Sequence, residues 1–201
     1  SGESNAFSPQ PSALSPQPSA LSPQPSPLTP QPPALTPQPP AVTWHLIGHL
    51  QTNKAKRAAG LFSVFHTVDS LKLAAALSRH REGQTAEVLL QVNVSGEASK
   101  EGFVLAGWQE QAAVLDQFCA EIEQLLALPA LRVVGLMTIA PYGRDPLPTF
   151  RATRQLRDTL AARFPSADWS QLSMGMTDDF EAAIAESATM VRVGRAIFGE
   201  R

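Results

Sequence analysis

The sequence lacks most of the features that would assign a protein to a class at once. It has one cysteine, Cys119, which excludes an internal disulfide and predicts a reducing, cytoplasmic compartment. Its net charge of −2 indicates neither a nucleic-acid surface nor a basic membrane-binding patch. No apolar run is long enough to cross a bilayer, and the first residues do not resemble a secretion signal. P-loop, GxGxxG and GxSxG motifs are missing, and no metal-ligand spacing is recognisable, so no metal is predicted.

Residues 1–42 differ in composition from the rest of the chain. They hold 13 of the 18 prolines and one charged residue, Glu3. Within them, residues 8–42 repeat a seven-residue unit five times, from SPQPSAL to TPQPPAV. Proline is incompatible with the helix that a seven-residue period otherwise suggests, so this region is predicted to be a disordered, extended, low-complexity segment. It is either a spacer or low-complexity sequence without a role, which we favour, or a ligand for SH3-like or WW-like domains.

Residues 43–201 alternate between short apolar runs and helical periodicity. Strands are predicted at 44–47, 64–68, 86–95, 131–139, 169–175 and 189–194, and helices at 50–62, 69–82, 106–128, 147–164 and 178–187. Strict alternation of this kind is typical of a parallel α/β sheet. Six strand–helix units fit an open doubly wound sheet, and they equally fit six eighths of a (β/α)₈ barrel.

In both architectures, ligands bind at the carboxyl ends of the strands. The residues found at those ends are Gly48, His49, His66, Thr67, Asn93, Ser95, Met137, Thr138, Ser173, Gly175, Arg192 and Gly194. Each one has an ordinary structural explanation, since glycine ends strands and small polar residues cap helices. Their shared position on one rim nevertheless predicts a site. Arg192 is the most informative, because a buried arginine is costly unless it is paired or faces a ligand.

The stretch SMGMTDDFEAAI (173–184) resembles half of an anion site. The Ser173 hydroxyl and the Gly175 N–H can bind a phosphate, whereas the acids 178–179 would repel an anion and are expected to cap their own helix. The loop at Gly194 and Arg195 is a better second half. Barrel phosphate sites often use the loops after strands seven and eight, and these two loops fit if the six strands are the last six of eight.

Six ordered stretches carry a family resemblance. They are WHLIGHLQTNK (44–54), FHTVDS (65–70), LLQVNVSGEASKEGF (89–103), GLMTIAP (135–141), LSMGMTDDFEAAI (172–184) and TMVRVGRAIFG (189–199). They closely resemble the pyridoxal phosphate homeostasis proteins, which are single-domain relatives of the alanine racemase N-terminal barrel. The resemblance covers Trp44 to Arg201 and implies a (β/α)₈ barrel with pyridoxal 5′-phosphate at its carboxyl rim.

The resemblance also implies the roles of individual residues. Ser173, Gly175 and the N–H groups of Gly194 and Arg195 are expected at the phosphate, and Arg192 beside the pyridine nitrogen. The remaining implied pocket residues are Asn93, Met137, His45 and Gly48. The implied function is cofactor homeostasis inside the cell without catalytic turnover, and no catalytic residue is assigned. Two alternatives stay open: a pyridoxal-dependent enzyme similar to amino-acid racemases, and a proline-rich interaction protein with a vestigial barrel.

The sequence departs from the family pattern before Trp44. The family carries its cofactor lysine on the first strand, in a stretch like AVSKT, followed on the second strand by a stretch like FGENYVQE. Neither occurs here, and the proline repeats stand in their place. Lys54, Lys56 and Lys72 fall on predicted helices and Lys100 in a loop, so none takes that role. We therefore expect a truncated or replaced N-terminus and an incomplete barrel, present as a monomer or as a dimer paired through open sheet edges.

Overall fold

A computed structural model of the chain describes residues 42–81 and 83–199. Of the segment predicted to be disordered, only Val42 lies within these ranges, so that prediction and the domain boundary after residue 42 stay predictions. The described strands are β1 (His45–Leu46), β2 (Val64–Val68), β3 (Ala86–Asn93), β4 (Phe103–Val104), β5 (Leu131–Met137), β6 (Gln171–Met176) and β7 (Met190–Arg192). The described helices are α1 (Ala55–Ala59, after a 3₁₀ turn at Thr52–Lys54), α2 (Leu71–Arg79), α3 (Ala112–Leu126), α4 (Leu147–Arg163), α5 (Phe180–Ala185) and α6 (Arg195–Phe198). Among them is no helix with the length and apolarity needed to cross a membrane.

The strand order identifies the architecture. The sheet runs β1-β2-β3-β5-β6-β7, all paired in parallel, with β4 attached to β3 outside this path. Each strand on the path therefore lies beside the next one along the chain, and the order never reverses. A doubly wound sheet has a point where the order reverses, whereas a barrel wall does not. The partial (β/α)₈ barrel is confirmed by this order and by the similarity to solved structures reported below.

The helices pack on one face of the sheet. Leu77 of α2, Ile122 of α3 and Leu156 of α4 belong to the same buried cluster as Leu90 and Leu136 of the central strands. These side chains are fully buried, and each contributes about 1.5–3 kcal/mol through removal of apolar surface from water. The opposite face carries a separate cluster whose buried members all come from strands: Val64, Leu89, Val134 and Met137. Alternation along the strands thus separates a helix-covered face from an inner face, as in the wall of a barrel.

Two local predictions differ from the structure in an informative way. The stretch 106–128, predicted to contain a long helix, is helical only from Ala112, because Gly107 has a φ of 68° and the chain turns there, with the Gln111 N–H donating to the Gly107 carbonyl. Just before that turn, Phe103 is buried and pairs with Val92 to form β4, which was not predicted. Elsewhere the predicted boundaries hold to within a few residues, and β2 is found at its predicted range.

Candidate functional site

Four polar side chains from four strands form a continuous row on the inner face of the sheet. They are His45 of β1, His66 of β2, Ser173 of β6 and Arg192 of β7, and we call them the polar row. Their direction follows from strand alternation: Leu46, Phe65 and Leu172, each next to a member of the row, point into the helix-covered cluster. The parallel strands bring the four residues to one place although up to 147 positions separate them in the sequence.

The polar row is held together by short hydrogen bonds. His45 Nδ1 lies 2.8 Å from His66 Nε2, and His66 Nδ1 lies 2.7 Å from Ser173 Oγ. Arg192 donates to Ser173 Oγ at 2.9 Å through one terminal nitrogen and to the Thr138 carbonyl at 2.9 Å through the other. The row is therefore a connected network that runs from an exposed histidine through two buried residues to a half-buried arginine.

Burial lowers the pKa of two members of the polar row, His66 and Arg192. Burial, together with the nearby His45 and Arg192, lowers the pKa of His66 from 6.5 to about 4. His66 is therefore neutral near pH 7, with one ring nitrogen as donor and the other as acceptor. Burial also lowers the pKa of Arg192, with Asp179 opposing the shift, but a guanidinium keeps its charge in proteins. The row thus presents one fixed positive charge beside a neutral imidazole.

Ser173 and Gly175, both predicted to contact phosphate, have structural partners of their own. Ser173 is fully buried, and its oxygen is within hydrogen-bonding distance of His66 and Arg192. Gly175 has a φ of 91°, and a Cβ there would lie 2.9 Å from the Cα of Phe180 and 2.6 Å from the Cβ of Ala183. A glycine is thus needed for α5 to approach β6, whether or not a ligand binds. Their phosphate roles stay predictions.

Asn93 and Met137, predicted to line the pocket, are both buried at the carboxyl ends of β3 and β5, and their pocket roles stay predictions. The Asn93 amide donates to the carbonyls of Glu97 and Lys100, at 2.9 and 3.4 Å, and its oxygen accepts from Ser95 Oγ and Gly96 N at 3.0 Å each. These four bonds make Asn93 the anchor of the loop that follows β3. Met137 is fully buried in the inner-face cluster.

Gly48 and Gly194 sit at exposed positions on the predicted rim. Gly48 lies just after β1, and its carbonyl accepts a 2.8 Å hydrogen bond from Thr67 Oγ1. Gly194 directly precedes α6, and a Cβ on it would contact nothing within 4 Å. Both are therefore placed where a ligand at the rim would reach their backbone.

The two acids after β6 do not cap α5 as predicted. Asp178 forms an ion pair with Arg195, which joins the loop after β6 to the start of α6. Asp179 occupies the residue before α5, but its carboxylate accepts a 2.6 Å hydrogen bond from the N–H of Met176, which precedes it. The acids instead fix the two loops expected to form the phosphate site. Arg195, predicted at the phosphate, lies at this junction.

Two adjacent cavities open at the carboxyl ends of the strands. The larger, of about 560 Å³, is lined by residues that include Lys100, Tyr142, Arg144, Met176, Asp178 and Asp179. The smaller, of about 170 Å³, is lined in part by Asn93, and the two cavities share Lys100 and Ile139. No residue of the polar row lines either cavity, but Arg192 bonds to the carbonyl of Thr138, which directly precedes Ile139.

A second polar cluster, which the sequence did not predict, joins the loops after β1, β2 and β3. His49 Nδ1 lies 2.7 Å from a Glu101 oxygen and 3.5 Å from an Asp69 oxygen, and the three groups have ligand atoms within 4.8 Å of one another. A hydrogen bond from His49 explains the shorter distance, and both His49 and Glu101 are exposed. We assign this cluster a structural role in joining the loops and no metal.

His66 is the residue that sequence reasoning should have included. It was placed at the rim but left out of the predicted site, because a single histidine is usually structural. The signal was available: His66 interrupts the apolar run VFHTV, as Arg192 interrupts TMVRVG. A polar side chain inside a buried strand requires a partner, and Arg192 was predicted to belong to the site for the same reason.

Comparisons with known proteins agree with this fold. The sequence model of the family described as "Alanine racemase, N-terminal domain" matches residues 33–201. The pyridoxal phosphate homeostasis protein of Aquifex aeolicus is 41% identical over 163 residues, covering 79% of this chain and 67% of that protein. The protein of the same name from Escherichia coli K12 is also 41% identical over 163 residues, covering 79% and 64%. PipY of Synechococcus elongatus PCC7942, solved with PLP bound, is 36% identical, with a TM-score of 0.68 and coverage of 80% of this chain and 72% of that chain. The chain thus spans about two thirds of the length of these curated relatives.

Proposed function

Because the chain belongs to the alanine racemase N-terminal domain family, and within it to the pyridoxal phosphate homeostasis proteins, we propose that it binds pyridoxal 5′-phosphate and helps to maintain the supply of this cofactor in the cytoplasm, without catalytic turnover. The observation that carries the proposal is the placement of Arg192. It is a half-buried cation at the carboxyl end of β7, held by Ser173 and Thr138.

The donor set of the inner face suits this cofactor. Arginine has five N–H donors and no acceptor, and the two hydrogen bonds of Arg192 to Ser173 and Thr138 leave donors for a ligand. Pyridoxal phosphate offers a dianionic phosphate and a ring nitrogen, both acceptors. A permanent cation beside that nitrogen disfavours its protonation, which weakens the electron-withdrawing chemistry that the cofactor supplies to enzymes. Binding without turnover is consistent with such a site.

The lysines of this chain favour non-covalent binding. Lys54, Lys56 and Lys72 lie in the 3₁₀ turn, α1 and α2, and Lys100 lies in the loop after β3 at the edge of the rim cavities. None of them lies on a strand of the inner face. We therefore assign the covalent role to none of the four and expect the cofactor to be held by its phosphate and ring nitrogen.

Equilibrium dialysis with pyridoxal 5′-phosphate tests the proposal directly. The full chain should bind the cofactor reversibly, and inorganic phosphate should compete. Arg192→Lys, which keeps the charge but loses the planar arrangement of donors, should weaken binding about ten-fold or more. Arg57→Lys, at an exposed position of α1, is the matched control and should bind as the unchanged chain does.

The results of these measurements test separately whether the cofactor binds, whether Arg192 contacts it and whether the binding is non-covalent. Absence of cofactor binding by the unchanged chain would overturn the proposed function. Equal affinities of the Arg192→Lys and Arg57→Lys variants would remove Arg192 from the site. Reduction with borohydride followed by mass spectrometry tests the mode of binding, and a lysine of this chain carrying the cofactor would show that the non-covalent assignment is wrong.

A further inference from the structure

We propose that His66 is a positioning residue of the cofactor site: its Nδ1 accepts the Ser173 hydroxyl proton, so that the polar row becomes a one-way chain of donors from Arg192 to His45. The proposal rests on the proposed function in one respect, because holding Arg192 matters for binding only if Arg192 faces the ligand. The direction of the hydrogen bonds along the polar row does not depend on a bound ligand.

Arg192 fixes one end of the chain. A guanidinium donates hydrogen bonds and cannot accept them, so the 2.9 Å contact between Arg192 and Ser173 Oγ has a single direction. The Ser173 oxygen is therefore an acceptor toward Arg192. Its own proton then needs an acceptor elsewhere.

Burial limits where that proton can go. Ser173 is fully buried, and within the described part of the chain the other hydrogen-bonding partner recorded for its oxygen is His66 Nδ1, at 2.7 Å. If Nδ1 carried a proton and donated instead, the serine proton would be buried without an acceptor, which is unfavourable. His66 Nδ1 is therefore the acceptor, and the ring proton resides on Nε2.

The remaining contact of the row agrees with this tautomer. His66 Nε2–H then donates across 2.8 Å to Nδ1 of the exposed His45. Each donor polarises the next one, and the charge on Arg192 favours this order because every N–H or O–H points away from the cation. Burial lowers the pKa of His66 and keeps its ring neutral. A neutral ring is needed for this order of hydrogen bonds, since a protonated ring would direct an N–H at a serine oxygen that already accepts from Arg192.

The consequence is an arginine with a fixed orientation. The Ser173 oxygen holds one terminal nitrogen of Arg192 and the Thr138 carbonyl holds the other, and the hydrogen bond from Ser173 to His66 Nδ1 fixes the orientation of that serine oxygen. Removing the Nδ1 acceptor frees the serine to rotate and removes one of the two restraints on the guanidinium. His66 thus acts on the ligand through Ser173 and Arg192.

Nitrogen-15 NMR of the histidine rings, in the full-length protein without cofactor, tests the direction of these hydrogen bonds. At neutral pH, His66 should show a protonated Nε2 and an unprotonated Nδ1, with its signals identified by their loss in His66→Gln. A protonated Nδ1, or a doubly protonated ring, would overturn the proposal. This measurement needs no ligand, so it decides the inference even if pyridoxal phosphate does not bind.

Cofactor affinity then tests the positioning role. His66→Asn places an amide oxygen where Nδ1 stood and should bind pyridoxal phosphate within about three-fold of the unchanged chain, whereas His66→Leu should bind about ten-fold more weakly or worse. His80→Asn, at the exposed end of α2, is the matched control and should have no effect. Equal losses in the asparagine and leucine chains would show that His66 only fills space and would sink the proposal.

Discussion

His66 makes the stability of the protein depend on pH. Its pKa is 6.5 in an unfolded chain and about 4 in the folded protein, where it is 2% exposed. Between these values the unfolded chain binds a proton that the folded protein does not, so the free energy of unfolding falls as the pH drops through this window. The shift corresponds to a loss of about 3 kcal/mol once the pH is below both values. Urea unfolding at several pH values across the window measures it.

Two substitutions separate His66 from the other titrating groups. His66→Phe should remove most of the decrease in unfolding free energy between pH 6.5 and 4, since no buried imidazole is left to titrate. His80→Phe should keep the decrease, because His80 is exposed at the end of α2. Parallel pH profiles for the two variants would contradict the assignment.

Gly175 is a second residue whose role can be measured without a ligand. Gly175→Ala forces a side chain into left-handed backbone geometry and into contact with Phe180 and Ala183, so the unfolding free energy should fall by about 1–3 kcal/mol. Gly60→Ala is the matched control, since its φ is −83° and an added Cβ would lie 3.8 Å from the Arg57 carbonyl oxygen, an ordinary contact distance. That change should stay within about 0.5 kcal/mol. A neutral Gly175→Ala would mean that α5 adjusts its position freely.

At the residue scale, the sequence predicted the candidate residues better than their partners. Arg192 was recognisable because a charge interrupts an apolar strand. That it meets Ser173 depends on the pairing of β6 with β7, and that Ser173 meets a histidine 107 positions earlier depends on how the curved sheet brings the inner faces of β2 and β6 together, although β3 and β5 lie between them. Composition and periodicity contain neither piece of information.

A buried carboxylate joins two consecutive helices, α4 and α5, which flank β6 in the chain. Glu186, at the end of α5, accepts hydrogen bonds from Arg151 and Arg154 of α4 at 3.0 and 3.1 Å. Burial raises its pKa, but the two arginines outweigh burial, and the net pKa lies below the usual range. Glu186→Gln leaves two cations facing a neutral amide and should cost about 1–3 kcal/mol of unfolding free energy.

An exposed ion pair provides the control for this link. Asp116 and Arg163 join α3 to α4 at 2.8 Å, with both side chains largely in water. Asp116→Asn should therefore change the unfolding free energy by less than about 1 kcal/mol. If the two amide substitutions cost the same in urea unfolding, burial would not be what makes Glu186 important.

Elements were predictable where a pattern is local and continuous. Short apolar runs located the strands, and helical periodicity located α2, α3 and α4. The exceptions have local causes that periodicity does not register. Gly107 turns the chain before α3, and the pairing of Phe103 with Val92 creates β4 from two residues.

The sheet path of the described residues ends at β1 on one side and at β7 on the other. Trp44 and Val191, 64% and 39% exposed, lie beside or on these edges. Open edges with apolar side chains favour pairing between copies, so we expect association that increases with protein concentration. Val191→Lys should reduce it, as measured by sedimentation velocity. Ile184→Lys, at a 56% exposed position on α5, should not. Equal effects would point to general solubility.

For the whole molecule, the sequence predicted a parallel sheet covered by helices but did not predict the order of the strands within the sheet. Alternating strands and helices allowed two architectures, since both place parallel strands beside covering helices. The family resemblance favoured the barrel, and the unreversed strand order agrees with it. The difference between the two is a relation among distant segments, which local periodicity does not encode.

The strand order also has a consequence for local opening. β3 pairs with β2, β4 and β5, whereas β7 pairs with β6 alone among the described strands. Amide hydrogens of β3 should therefore exchange with solvent most slowly, and those of β7 among the fastest. Arg192 lies on β7 and bonds to Ser173 and to the Thr138 carbonyl, so a ligand held by Arg192 would also clamp this edge. Hydrogen exchange with and without pyridoxal phosphate should then show the largest slowing at β7. The bound cofactor would thus stabilise against local opening the same strand that binds it.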